Sequence, residues 1–179
     1  MRALHIDKGS RGIMDGSTQA TYSDIVTLLE RRHRQFLEAV TLELEANGVH
    51  DINSVQAMII YNVGNADIAM AVGELTLRGC YLGSNVSYNL KKLVTNGYIL
   101  QERSPHDRRS IRIRLSDKGL QMRDKLVALY QRHVSSPSRH GAPSDEELVR
   151  TNEILRRLER FWSQSVEIGS RSLGLSSGD

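Results

Sequence analysis

Apolar residues along this chain follow two periods. From Ile25 onward, Ile25, Leu28, Leu29, Phe36, Leu37, Val40 and Leu44 recur at spacings of three and four, with His33 on the same stripe. That spacing predicts one face of a long helix. The helix opens near Thr21-Tyr22-Ser23-Asp24 and closes at Asn47-Gly48, where glycine suits a left-handed cap. At roughly 1.5 Å per residue it reaches about 36 Å, more than a small domain needs for itself. Residues 1–20 show no such period and carry Gly9, Gly12 and Gly16, so they are expected to form a flexible arm.

A shorter helix follows. Asn53 and Gln56 have capping-box spacing, and Val55, Met58, Ile59 and Val63 line one side until Asn62–Asn65. Ile68, Met70 and Val72 then alternate like a brief strand. Two short helical segments, Val72–Arg78 and Ser84–Asn96, flank the turn Gly79-Cys80-Tyr81-Leu82-Gly83, which suggests a helix-turn-helix. Gly97 breaks the second of them. Tyr98–Arg103 and Ile111–Leu115 read as two strands joined by Ser104–Ser110. In the second strand Ile111, Ile113 and Leu115 are expected to face in, and Arg112 and Arg114 out. Ser116 caps a helix to about His133, with Leu120, Leu126, Leu129 and Tyr130 as its buried stripe. Residues 135–143 are a linker by composition. Ser144-Asp145-Glu146-Glu147 opens a last helix to about Ser165. There Leu148, Leu155 and Trp162 alternate with Thr151, Leu158 and Ser165 in an a/d-like seam.

These elements predict a mainly α fold with a small β-wing. A winged helix-turn-helix core over 51–116 is flanked by long helices over 21–48 and 117–168, with a flexible tail at 169–179. The terminal helices are too apolar on one face to stand alone, and pairing with a second copy covers both stripes.

Composition narrows the function. Aromatics are only 5% of the 179 residues, and the longest apolar run, Ile68–Val72, falls far short of the roughly 18 residues of a membrane span. A single cysteine excludes an internal disulfide and any Cys-rich zinc module. With no hydrophobic leader pattern at its start, the expectation is a cytoplasmic protein with no membrane partner. Charge is unevenly spread. Arg78, Lys91, Lys92, Arg103, Arg108, Arg109, Arg112 and Arg114 stand against Glu102 and Asp107, so residues 78–114 carry +6 while the remainder carries −3. A basic middle in an acidic frame is the footprint of a nucleic-acid binder, or a solvated face laced with salt bridges.

The helix Ser84–Asn96 turns Val86, Leu90, Leu93 and Val94 inward and leaves Ser84, Asn85, Ser87, Tyr88, Lys91, Lys92 and Thr95 outward. Small polar residues at its N-terminal end suit entry into a major groove. Asn85 can pair with an adenine edge, Tyr88 can meet a thymine methyl or a phosphate, and the two lysines suit phosphates. At the predicted hairpin tip, Arg108 and Arg109 beside Asp107 are hard to explain by packing. A guanidinium there can enter a narrow minor groove, with Asp107 holding it in a bidentate pose.

Asn53–Gly119 resembles the winged-helix core of the MarR family of bacterial transcription regulators. NVSYNLKKLVTNGYI (Asn85–Ile99) is similar to the family's recognition helix and the turn after it. DRRSIRIRLSDKG (Asp107–Gly119) is similar to its Asp-x-Arg wing and the entry to the next helix, with Asp107, Arg109, Leu115, Ser116 and Gly119 on the marks. The likeness extends over roughly residues 22–168 by the length and order of its helices. The Tyr88–Lys92 run also resembles an LdtR-like subgroup linked to cell-wall remodelling and stress. Where many family members carry Arg and a hydrophobic residue, this chain has Tyr88 and Asn89, so no operator sequence transfers.

The resemblance implies a homodimeric repressor on a pseudo-palindromic operator in double-stranded DNA, with the helix in the major groove and the wing, 103–111, in the minor groove. It also implies release by a small aromatic or anionic effector held between the dimer and DNA lobes. His33, Phe36, Val40, Met58 and Tyr61 are the candidate lining, although each also fits plain core. Some relatives sense oxidants through a cysteine elsewhere. Cys80, in the turn before the recognition helix, reads as a small buried hydrophobe, or, if exposed, as a redox-responsive thiol. No phosphate loop, HExxH helix or nucleophile elbow is present, and the six histidines have no ligand spacing. The expectation is therefore no enzyme, no metal and no cofactor. A dimer that coats DNA without sequence preference remains the other reading.

Overall fold

The computed structural model describes residues 16–66, 69–79, 83–103, 111–135 and 142–172. They belong to two units, divided between residues 134 and 135.

In the first unit, α1 (Gly16–Ala46) begins five residues before the start expected from its apolar stripe. Residues 16–20 are therefore helical and not part of an arm. The extra turn carries no apolar period to reveal it; Thr21 Oγ donates back to the Ser17 carbonyl at 2.8 Å. Of the predicted stripe, only Val40 and Leu44 are buried, while Leu28 is 45% exposed. The helix ends as expected at Gly48, whose φ of 66° is open to glycine without strain. The Val49 N–H closes the turn on the Leu44 carbonyl at 2.9 Å.

The start of α2 (Ser54–Gly64) is a complete capping box. Gln56 N–H donates to Asn53 Oδ1, and Asn53 N–H donates to the Gln56 side chain. The short β1 (Met70–Ala71), α3 (Val72–Gly79), α4 (Gly83–Thr95), β2 (Ile99–Arg103) and β3 (Ile111–Leu115) follow in the expected order. The strands form one antiparallel sheet in the order β1-β3-β2. Met70 pairs with Ile113, and the hairpin runs from Ile99↔Leu115 to Arg103↔Ile111.

That third strand corrects the expected faces of β3. Ile113 and Leu115 are buried, but Ile111, at the loop end of the hairpin, is exposed. Arg112 does not face out. It is half-buried, and its Nε and Nη2 both donate to the Ala69 carbonyl beside β1, at 3.1 and 2.7 Å. Arg114 does face solvent, where it pairs with Glu102 at 2.8 Å.

The core gathers Val40 and Leu44 of α1, Ile59 and Ile60 of α2, Leu75 of α3, Leu93 of α4, Ile99, Ile113, and Leu126 of α5 (Asp117–Ser135). Ser116 caps α5, its Oγ accepting from Gly119 N–H at 3.1 Å. The buried stripe of α5 is Gly119, Met122, Leu126 and Leu129, with Tyr130 half-buried. Leu120 is exposed, contrary to the pattern. Gly119, not Leu120, is in helical register with the buried Met122, Leu126 and Leu129, and its bare Cα lets the first turn press against the Tyr98 carbonyl.

In the second unit, α6 (Asp145–Ser172) starts with the expected Ser144–Glu147 box. The Ser144 backbone bond, then its side chain, hold the Glu147 carboxyl below its usual range. The helix outruns residue 168, so 169–172 are helical where a tail was expected. Leu148 and Leu155 are exposed, and Trp162 and Leu158 are half-buried. Ile154, Phe161 and Ile168 add a second seven-residue row beside them, also exposed.

Candidate nucleic-acid interface

The amphipathic pattern of α4 sorts its residues cleanly. Val86, Leu90 and Leu93 are buried at 1%, 3% and 0% exposure and anchor the helix on the core. The opposite face presents Asn85, Ser87, Tyr88, Lys91, Lys92 and Thr95, all exposed. Tyr88 is 63% exposed, an aromatic ring in water with the helix's small polar residues around it. Neither Lys91 nor Lys92 is ion-paired with a carboxylate among the described residues. Five of the six predicted helix contacts (Asn85, Ser87, Tyr88, Lys91 and Lys92) are thus brought to one surface. The sixth, Ser84, lies in the first turn.

The end of α4 is held firmly. Gly97, at φ 75°, lets the Tyr98 N–H close on the Leu93 carbonyl at 2.9 Å. Tyr98 then donates its hydroxyl to Asp51 Oδ1 at 2.8 Å. Lys118 Nζ donates to Asp51 Oδ2 and to the Asn96 carbonyl, and sits 4.0 Å from the Tyr98 ring centre. Asn96 completes the cluster by donating to the Asp51 carbonyl. Burial works to raise the Asp51 carboxyl, but the Lys118 and Tyr98 bonds outweigh it and hold it below its usual range. The Asp51 bond raises Lys118, while burial and then Asp51 raise the Tyr98 phenol. Near neutral pH the cluster is therefore an anion, a cation and a neutral donor. Together they tie the α1–α2 loop, the α4–β2 turn and the start of α5.

Beside the exposed face of α4, an open groove of about 460 Å³ runs along Ser87, Lys91 and Thr95 to Gln101 and Ile111 of the wing strands, with Ala71–Gly73 as its floor. The sequence pattern gave no sign of it, since it depends on how β1 closes the sheet. The connection between β2 and β3, which holds Asp107, Arg108 and Arg109, lies outside the described residues, as does Cys80. Arg103 and Ile111, which precede and follow that connection in the sequence, are paired across β2 and β3.

The candidate effector residues separate. Phe36, Met58 and Tyr61 gather around Tyr130, which sequence reasoning had placed only in a core stripe. Tyr130 stacks edge-on to Tyr61 at 4.9 Å, lies 5.8 Å from Phe36, and its hydroxyl reaches Met58 Sδ at 3.6 Å. Val40 is fully buried core, and His33 is exposed. Among the described residues no cluster of His, Cys, Asp or Glu could hold a metal ion, and no helix is long and apolar enough to cross a membrane.

Comparison with known proteins agrees with this geometry. Residues 52–119 match the family model of the winged helix DNA-binding domain. Over 152 residues the chain is 39% identical to the exopolysaccharide II synthesis transcriptional activator ExpG of Rhizobium meliloti (strain 1021), spanning 83% of this chain and 75% of that protein. Its fold is similar to that of the transcriptional regulator SlyA, with a TM-score of 0.68 at 16% identity over 81% of this chain and 98% of that one. It is also similar to Streptococcus pneumoniae FabT in complex with DNA, with a TM-score of 0.63 at 22% identity over 80% and 98%. A mutant MarR from E. coli complexed with operator DNA gives 0.62 at 14% identity over 75% and 93%.

Proposed function

The chain belongs to the MarR family of winged-helix transcriptional regulators, and from that premise we propose that it reads a pseudo-palindromic DNA operator as a homodimer. The observation that carries the reading is the exposed face of α4. A rigidly anchored helix offers Asn85, Ser87 and Tyr88 for base edges and Lys91 and Lys92 for phosphates. The wing, with Asp107, Arg108 and Arg109 at its tip, enters the flanking minor groove. FabT and MarR structures named as DNA complexes share this fold.

The second copy follows from exposed apolar surface. The first half of α1 leaves Val26 and Leu28 in water, and α6 leaves Leu148, Ile154, Leu155, Phe161 and Ile168. Stripes of this width on helices are interfaces waiting for a partner. The discontinuous pair 21–48 and 117–168 is then the dimerisation part, and 51–116 the DNA-binding part. Deleting residues 144–168 should leave a monomer or an aggregate in light scattering. A well-behaved dimer after that deletion would overturn the seam.

A small aromatic or anionic effector would be taken by the partly buried Phe36, Met58, Tyr61 and Tyr130 cluster, whose rings offer stacking surface and a phenol. The Rhizobium relative is named an activator. Where the operator lies relative to the promoter decides whether the same occupancy blocks or recruits transcription, so repression is not implied by the binding surface.

A further inference from the structure

Gln56 is the polar side chain buried among the described residues, at 6% exposure, and a buried amide is retained at a cost unless all its groups are paired. Its pairing runs from one backbone to another. The Asn53 N–H donates to Gln56 Oε1 at 3.1 Å, Gln56 Nε2 donates to Asn89 Oδ1 at 3.1 Å, and Asn89 Nδ2 donates to the Asn85 carbonyl at 2.8 Å. The two ends dictate the direction. A backbone N–H can only donate and a carbonyl can only accept. Turning either amide over would place donor against donor or acceptor against acceptor, so one arrangement alone satisfies the chain.

Position 89 sits on α4 immediately beside the buried Leu90 and the exposed Tyr88. A leucine there could pack against α2, but apolar contacts tolerate small rotations and slides between helices, while a directional polar pair does not. The tie also ends on the residue that would read a base, because the carbonyl it grips belongs to Asn85.

We infer that the Gln56–Asn89 amide relay is the positioning device of the recognition helix, fixing how Asn85 and Tyr88 are presented and so setting discrimination between operator and other DNA. The inference rests on the reading of α4 as the recognition helix. Phosphate contacts from Lys91 and Lys92 tolerate a slightly rotated helix, whereas base-edge hydrogen bonds do not. Gln56 and Asn89 touch no DNA in this account and act through the residues they hold.

The test uses Gln56→Met and Asn89→Leu in the full chain. Methionine keeps the side-chain length and adds no charge, removes both the acceptor for the Asn53 N–H and the donor to Asn89, and leaves the other half of the cap, the residue-56 N–H donating to Asn53 Oδ1, in place. Affinity is measured by fluorescence anisotropy for a selected operator fragment and for a scrambled fragment of equal composition, at several salt concentrations. Thermal unfolding is followed alongside. The operator-to-scrambled ratio should fall by at least about tenfold in each variant, with affinity for the scrambled fragment and the salt slope unchanged. The double variant should be no worse than the single ones, since either breaks the same tie. An unchanged ratio in a folded Asn89→Leu protein would overturn the relay, and so would additive losses. A wild-type ratio near one would instead remove the operator reading itself.

Discussion

Replacing Gly119 with Ala should destabilise the first unit by about 2–4 kcal/mol, lowering its thermal midpoint by roughly 5–15 °C. Gly119 lies in the first turn of α5, and its backbone is helical, so the substitution carries no conformational penalty. In an open helix it would stabilise by about 0.5–1 kcal/mol. Here the added Cβ would stand 2.2 Å from the Tyr98 carbonyl oxygen and 3.2 Å from Leu115 Cβ. A backbone oxygen cannot swing aside as a side chain can. Relief requires α5 to move away from the α4–β2 turn, and the Ser116 and Lys118 bonds to Gly97, Tyr98 and Asn96 are strained with it. Gly73→Ala is the control. It sits in the first turn of α3 with nothing within 4 Å of the new Cβ, so it should be neutral or mildly stabilising. Equal midpoints for Gly119→Ala and the parent in a denaturation scan would contradict the close approach.

Replacing Arg109 with Ala should lower operator affinity by at least about thirtyfold while leaving the oligomer intact. The expectation comes from charge and position. Arg109 falls in the sequence between the paired strands β2 and β3, and a guanidinium there would meet the enhanced negative potential of a narrow minor groove. One such contact is worth about 1–3 kcal/mol, and a dimer makes it twice. The salt slope should also drop, by about one per wing. Unchanged affinity in an anisotropy titration would remove the wing from the interface.

Both substitutions concern features that differ in how far the sequence alone reveals them. Capping boxes at Asn53–Gln56 and Ser144–Glu147, and the glycine caps at Gly48 and Gly97, were legible because each is decided within about four residues. The polar face of α4 was legible for the same reason, since helical spacing alone separates Tyr88 and Lys91 from Leu90. Features decided across the chain were not. Leu120 looked like core until Gly119 met the Tyr98 carbonyl. Arg112 looked like a solvent-facing cation until the Ala69 carbonyl, 43 residues away, took its guanidinium. Gln56 was visible as half of a cap, but its second role depends on Asn89, 33 residues further on. Tyr130 likewise joins Phe36 and Tyr61 only once α1, α2 and α5 are assembled.

The central claim is that this protein is a sequence-specific dimeric regulator, and selection of genomic fragments with the purified protein, followed by footprinting of the best fragment at physiological salt, tests it most directly. The expected result is one protected, two-fold symmetric site about one to two helical turns long, preferred over other DNA by roughly a thousandfold or more. Uniform, salt-sensitive protection of every fragment, with no preferred site, would contradict it and leave a DNA-coating dimer in its place.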